Sequence, residues 1–325
     1  MKRVLVTGAS GFIGRELCRK LVEQGCEVRG LSSREQSVRG VEMRRADVAT
    51  ELNSGWFAGI DTVFHLAGKA HALSETRADE AEYLRINTDG TRRVLEAAKK
   101  SGVHRLIFFS SVKAMSNEAT EKKSGATKPL TETDELAPDT PYGKSKLAAE
   151  RLVLHGGFVP EPVVLRPCMV YGPRAKGNVE KMIRAVQSGR FPPLPETGNK
   201  RSMIHVEDVA QAAMLAAQHE KAAGQVFIVS DAEACSTRRM YELIRRALGL
   251  SVPRWTVPLN LLGVLALVGD GIGRVRGKRY LFDSDALHKL TGTAWFSSDK
   301  IRRELAFTSK WTFTSALPEM VRERS

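Results

Sequence analysis

Three glycines spaced as Gly8-x-x-Gly11-x-x-Gly14 constrain this chain more than any other feature. They follow a short apolar run, Val4 to Val6. They open a segment in which Ile13, Leu17, Leu21 and Val22 recur at helical spacing until Gly25. A strand that turns through glycine into a helix offers the helix's first N–H groups to an anion, and glycine lets a phosphate approach the backbone closely. The turn predicts a dinucleotide site built from Gly8, Ser10, Gly11, Phe12, Ile13 and Gly14, with a close-packed structural turn as the plain alternative. Its first gap is one residue longer than in the G-x-G-x-x-G fingerprint of dehydrogenases.

The alternation continues. Glu27–Leu31, Thr62–Leu66 and Arg105–Phe109 read as strands, and Tyr83 to Lys100 reads as a long helix with Ile86, Val94, Leu95 and Ala98 facing inward. Arg105-Leu106-Ile107-Phe108-Phe109 is nearly all apolar, as in a strand covered on both faces. These units predict an α/β fold with a Rossmann-type doubly wound parallel sheet. The polar, proline-bearing stretch Ser116–Pro141 reads as a long functional loop. A helix follows from Tyr142 to about Leu154, then a strand at Val163–Leu165. Beyond Arg166 the composition changes. Phe191–Pro195 reads as a rigid connector, Val226–Val229 as a strand returning to the sheet, and helices are expected near 237–248 and 298–305. The expected division is a dinucleotide-binding domain over 1–166, with returning segments near 203–230, and a smaller, discontinuous C-terminal substrate-binding domain over 167–202 and 231–325. The longest apolar run, Pro258–Val268, is too short to span a bilayer, which takes about 20 residues. It is expected to pack in a core, with a helix touching a membrane surface as the alternative.

The 325 residues carry 50 Lys and Arg against 37 Asp and Glu, a net charge of +13. That balance favours anionic partners, but the basic residues are spread along the chain and mostly suit solvated helix faces. No nucleic-acid partner and no stable membrane insertion are expected. Cys18, Cys26, Cys168 and Cys235 form no CxxC, and the seven histidines show no ligand spacing, so no metal site is expected and a reducing, cytoplasmic setting is the default. The N-terminus enters a strand at once, which argues against a cleaved signal peptide.

Tyr142-Gly143-Lys144-Ser145-Lys146 places a phenol and an ammonium on one helical face. A cation there favours the phenolate and lowers a tyrosine pKa toward the range of a general acid or base. Ser110 and Ser111 end the buried strand, where hydroxyls can reach a ligand in the crevice beyond the sheet. After the second strand, Leu31-Ser32-Ser33-Arg34 carries no carboxylate for ribose hydroxyls. Ser33 and Arg34 could receive a 2′-phosphate, which leans toward NADP over NAD. Asp47 and Val48 stand where an adenine contact is expected.

Taken in order, TGASGFIG (7–14), DTVFHLAG (61–68), NTDGTRRVLEAAKKSGV (87–103), FFSSV (108–112), YGKSK (142–146), LRPCMVYGP (165–173) and RSMIHVEDVA (201–210) resemble the extended short-chain dehydrogenase/reductase family, in its NAD-dependent epimerase/dehydratase branch. The resemblance implies that Tyr142 is the catalytic acid or base, that Lys146 tunes it and binds the nicotinamide ribose, and that Ser111 completes the triad, with Ser110 as the fallback. It implies that His65 to Gly68 (with Leu66, Ala67 and Gly68 as cofactor contacts) and Asn87 line the cofactor groove. Asn178 and Arg201 match positions that bind the nucleotide and diphosphate of a nucleotide sugar, and Ser111 touches the same substrate. Arg166 and Tyr171 have either a structural or a site role. Within that branch the chain resembles bacterial nucleotide-sugar 4-epimerases and 4-keto-sugar reductases. Met115-Ser116 departs from the usual tyrosine-glycine, and Val112-Lys113 replaces the carboxylates of dehydratases. The expected activity is epimerisation at C4 of a UDP-sugar through a keto intermediate. NADPH-dependent reduction of a 4-keto sugar is the alternative, and a non-catalytic redox sensor is the alternative of another class. A homodimer is left open.

Overall fold

The computed structural model describes residues 1–50, 52–70, 79–115, 128–276 and 282–322. Its strands are β1 (Arg3–Thr7), β2 (Glu27–Ser32), β3 (Val41–Arg45), β4 (Thr62–His65), β5 (Arg105–Phe109), β6 (Glu161–Pro167), β7 (Met169–Tyr171), β8 (Met203–His205) and β9 (Val226–Val229). Seven of them form one parallel sheet in the order β3-β2-β1-β4-β5-β6-β9, while β7 and β8 pair separately. The helices are α1 (Phe12–Glu23), α2 (Glu80–Tyr83), α3 (Gly90–Lys100), α4 (Pro141–His155), α5 (Asn178–Gln187) and α6 (Val206–Gln218), then α7 (Thr237–Ala247), α8 (Leu259–Arg276), α9 (Ser284–Thr291), α10 (Asp299–Leu305) and α11 (Phe313–Arg322).

The doubly wound sheet is as the alternation predicts. Every residue of β5 is buried, because helices cover both of its faces. On one face Leu17 and Leu21 of α1 pack with Val209 and Ala213 of α6, and Ile301 and Leu305 of α10 join them. On the other, Val94, Leu95 and Ala98 of α3 meet Ala149 and Val153 of α4. A separate core gathers Tyr171, Ile183, Tyr241, Ile244, Phe313 and Leu317 from β7, α5, α7 and α11.

Central β1 pairs with β2 on one side, Val6 opposite Gly30, and with β4 on the other, Val6 opposite Phe64. The winding reverses there, so the loops leaving β1 and β4 diverge and open a crevice at their carboxyl ends. The glycine turn and the Leu66–Gly68 loop are its two walls.

Two expectations change. The helix read as continuous from Tyr83 to Lys100 contains a π-helical turn, Leu84–Asp89, between α2 and α3. The run Pro258–Val268 is not in a core. It lies in α8, where only Leu262, Ala266 and Gly269 are buried and the remaining large side chains face outward. One packed stripe covers only one side of a helix that is apolar all round. Residues 116–127 of the polar loop lie outside the described residues.

Candidate active site

The first wall is backbone. Gly8 has φ of +70°, and a Cβ there would stand 2.9 Å from the Ala67 nitrogen. A Cβ on Gly14 would collide with the Gly8 carbonyl, so α1 can lie this close to β1 only with glycine. Gly11 donates its N–H to the Gly8 carbonyl at 2.9 Å and caps α1 without a side chain. No acidic residue occupies the first turn of α1, which begins at Phe12 and Ile13. The helix N-terminus therefore keeps its positive end for an anion, and this uncluttered cradle fits a dinucleotide pyrophosphate.

At the end of β2, Ser10 and Ser32 hydroxyls lie 2.7 Å apart, and Ser32 accepts the Arg34 N–H at 3.1 Å. Ser32 is buried, whereas Ser33 and Arg34 are exposed at the edge of the crevice. Asp47 closes a local turn by accepting the Ala49 N–H at 2.9 Å, and buried Val48 packs against Gly90.

The second wall follows β4. Thr7 Oγ1 accepts the N–H groups of Leu66 (3.2 Å) and Ala67 (3.0 Å) and lies 2.7 Å from His65 Nδ1. His65 Nε2 lies 2.9 Å from Thr91 Oγ1, and the ring is fully buried. Burial, aided by the Lys146 charge, pulls its pKa down to about 3, so the ring is neutral. His65 is thus a cross-brace behind the groove and does not line it. Asn87, at the π-helical turn, accepts the Lys69 N–H at 2.7 Å and donates to Ser145 Oγ at 3.0 Å. It is 1% exposed, so it ties the Gly68 loop to α4.

The third part joins β5 to α4. Thr140 caps α4 by accepting the Gly143 N–H at 3.1 Å, and Pro141 starts the helix. Tyr142 sits in this first turn, half-buried, with the Tyr83 ring edge-on at 6.0 Å. One turn later Lys146 is 5% exposed. Its Nζ donates to the Phe109 carbonyl at 2.6 Å and sits 4.5 Å above the Phe108 ring. Burial pulls its pKa down to about 8, against the opposing pull of Glu150. A Cβ on Gly68 would come within 4.0 Å of Lys146 Nζ, so the ammonium, bonded to the end of β5, lies close to the Gly68 loop.

Ser111 follows β5, half-exposed, and its hydroxyl accepts the Lys113 N–H at 3.2 Å. The Ser110 hydroxyl is buried and has no hydrogen-bond partner among the described residues. Of the two serines, Ser111 is thus the half-exposed one and Ser110 the buried one.

Two further candidates lie on other segments of the chain. Asn178 is exposed at the first position of α5. Arg201 is half-buried, its backbone bonded to Cys235 and its Nη1 donating to the Gly292 carbonyl at 3.2 Å. Arg166 and Tyr171 have structural partners: Arg166 grips buried Glu150 through two bonds of 2.9 and 2.6 Å, and Tyr171 donates to Asp231 at 2.8 Å. Sequence reasoning missed Gly143. A Cβ there would collide with the Lys113 carbonyl, so this glycine lets α4 close on the turn after Ser111. Its place between Tyr142 and Lys144 was the only signal.

A nucleotide turn at the winding reversal, facing a Tyr-x-x-x-Lys helix and a strand-end serine, defines a dinucleotide-dependent oxidoreductase or epimerase class of site. The model of the NAD dependent epimerase/dehydratase family matches residues 4–230, and the chain belongs to that family of NAD(P)-dependent enzymes. It is 31% identical over 303 residues to UDP-glucose 4-epimerase of Vibrio cholerae, covering 90% of this chain and 86% of that one. It is 29% identical over 332 residues to 4-hydroxy-2-methyl-3-oxo-4-farnesyl-3,4-dihydroquinoline-1-oxide ketoreductase of Stigmatella aurantiaca, covering 97% and 94%. Among solved structures, MoeE5 in complex with UDP-glucose and NAD superposes with a TM-score of 0.76 at 27% identity, covering 99% of each chain.

Proposed function

We propose that this chain is a nucleotide-sugar epimerase that inverts C4 of a UDP-sugar through a keto intermediate. The observation that carries the reading is the position of Lys146, held by the Phe109 carbonyl between the Gly68 wall of the crevice and the helical face that bears Tyr142. Likeness to the Vibrio cholerae 4-epimerase and to the UDP-glucose complex supports the sugar and nucleotide class.

Gly8, Ser10, Gly11, Phe12, Ile13 and Gly14 would hold the pyrophosphate, Leu66 to Gly68 the nicotinamide side, and Asp47 and Val48 the adenine. When bound, the nicotinamide supplies a hydride acceptor and donor. Tyr142 takes the proton of the C4 hydroxyl at its phenolate oxygen as the ketone forms. It returns that proton when the ketone is reduced from the other face. Lys146 stabilises the negative charge on Tyr142, and its partial desolvation strengthens that interaction. Ser111 donates a hydrogen bond to the substrate oxygen. Asn87 is a positioning residue, since its polar atoms tie the Gly68 loop to α4. Arg201 and Asn178 grip the diphosphate and nucleotide, a role that suits a guanidinium's paired donors. The dinucleotide domain covers 1–166 with segments near 203–230, and the remainder holds the sugar. We place NADP(H) ahead of NAD(H), because exposed Arg34 stands at the end of β2.

Reduction of a 4-keto sugar is the second reading. The same Arg34 edge favours it, and so does the Stigmatella relative, a ketoreductase. Proton NMR of a panel of UDP- and dTDP-sugars with each dinucleotide separates the two. An epimerase produces both C4 isomers with no net consumption of dinucleotide. A reductase consumes reduced dinucleotide mole for mole with a keto sugar. Turnover in neither assay overturns the proposal.

A further inference from the structure

The surface of α8 is unlike that of the other described elements. Among the described residues ten large apolar side chains are exposed, and eight of them lie between Trp255 and Val275. Leu261, Val264, Leu265 and Val268 follow one another at helical spacing on one face, and Leu267, 67% exposed, widens it. Monomeric proteins seldom leave so continuous an apolar patch uncovered.

Hydrogen bonds anchor both ends of the segment. Before α8, the Val257 N–H donates to the Pro193 carbonyl at 2.9 Å, and Arg238 donates to the Pro253 carbonyl at 3.3 Å. Near its end, Asp270 accepts two bonds from Ser284 at 3.1 and 2.6 Å. No charged residue occurs from Trp255 to Gly269. The charges that flank the patch are Arg254 before it and Arg274 and Arg276 after it, all exposed. Asp270, the one carboxylate in this stretch, is turned to α9.

We propose that α8 docks this protein, parallel to the membrane plane, on an anionic lipid surface. No described helix is long and apolar enough to cross a bilayer. The uncharged stretch of α8 is about half as long as the hydrocarbon core is thick, at 1.5 Å per residue. A helix of this kind buries its apolar face at the headgroup boundary, with Trp255 at the level favoured by indole rings. Arg254, Arg274 and Arg276 then meet lipid phosphates at both ends. A second copy fits less well. Antiparallel pairing of α8 with itself sets Arg254 against Arg274 and Arg276 of the other copy, and parallel pairing sets like on like, with no exposed carboxylate on the face to answer them.

Sedimentation of the full chain with vesicles tests this. The wild type should pellet with phosphatidylglycerol–phosphatidylethanolamine vesicles, pellet less at high salt, and stay in solution with pure phosphatidylcholine. Leu265→Glu combined with Val268→Glu changes exposed positions only and should keep the circular dichroism spectrum and melting temperature. It should lower the bound fraction at least about tenfold. Arg274→Glu should weaken binding to the anionic vesicles as well. The proposal is overturned if the wild type stays in the supernatant. It is equally overturned if the double variant binds like the wild type, or if that variant abolishes self-association in sedimentation velocity while no vesicle binding occurs.

Discussion

The Lys146 ammonium donates to the carbonyl of Phe109 at 2.6 Å, which locks the fourth helix to the end of the fifth strand. Tyr142 stands four residues earlier on the same helix, so the buried cation and the phenol share one helical face. Tyr142→Phe should lower turnover at least about a hundredfold, the loss expected when general acid–base transfer is removed. Dinucleotide affinity should persist within a few fold in calorimetric titration. Near-normal turnover would remove Tyr142 from proton transfer.

Arg201→Ala should weaken UDP binding while leaving dinucleotide binding unchanged. The loss should be about tenfold or more, since a charge-assisted bond contributes on the order of 1.5–3 kcal/mol. Parallel titrations with UDP and with each dinucleotide check it. Unchanged UDP affinity would return Arg201 to its bond with the Gly292 carbonyl as a purely structural role.

Gly143→Ala should be far more costly than an ordinary helical substitution. Alanine is normally the better helix former, so propensity predicts a gain. The Lys113 carbonyl opposes it, because a Cβ collides with backbone that cannot rotate away. A loss of about 1–3 kcal/mol is expected, as for overpacking in a core. Urea denaturation measures it, and a stabilised variant would show that the helix and the serine turn lie farther apart.

Asp231 sets a pH dependence of stability. Burial pushes its pKa up from 3.8 to about 7, against the bond from Tyr171. The folded state therefore binds this proton more tightly than the unfolded one. Its stabilising contribution is complete below 3.8 and is lost as pH rises through about 7. The slope from one such group is at most about 1.4 kcal/mol per pH unit. Asp231→Asn, which can still accept from Tyr171, should flatten that component in urea titrations at pH 5, 6, 7 and 8. An unchanged slope would assign it elsewhere.

The proposed cofactor choice rests on the end of the second strand, where exposed Ser33 and Arg34 follow Ser32. Wild-type protein should bind NADP(H) more tightly than NAD(H), Arg34→Ala should narrow the gap, and Ser33→Asp should reverse it by repelling the 2′-phosphate. An exposed guanidinium–phosphate pair is worth about 1 kcal/mol, so the preference should be several-fold. A wild-type preference for NAD sinks this assignment and strengthens epimerisation over reduction.

The sequence by itself determined the parallel α/β sheet, the glycine turn between the first strand and helix, and the pairing of Tyr142 with Lys146 on one helical face. Those features are local: periodicity, glycine chemistry and helical spacing act over a few residues. The fully apolar Arg105–Phe109 also announced its own burial. Only the tertiary structure decided which polar groups reach the crevice. His65 stands in a motif next to the groove, yet Thr7 and Thr91 hold it behind the wall. Ser110 and Ser111 are the same residue type, and the turn after the fifth strand alone buries the first and leaves the second half-exposed. Gly143 matters because of a carbonyl thirty residues earlier in the chain. The run 258–268 has the composition of a core segment. A sequence carries no record of how many sides of a helix find neighbours, and the eighth helix finds them on one side only. Burial is a property of the assembled layers, so these outcomes depend on contacts between residues far apart in the chain.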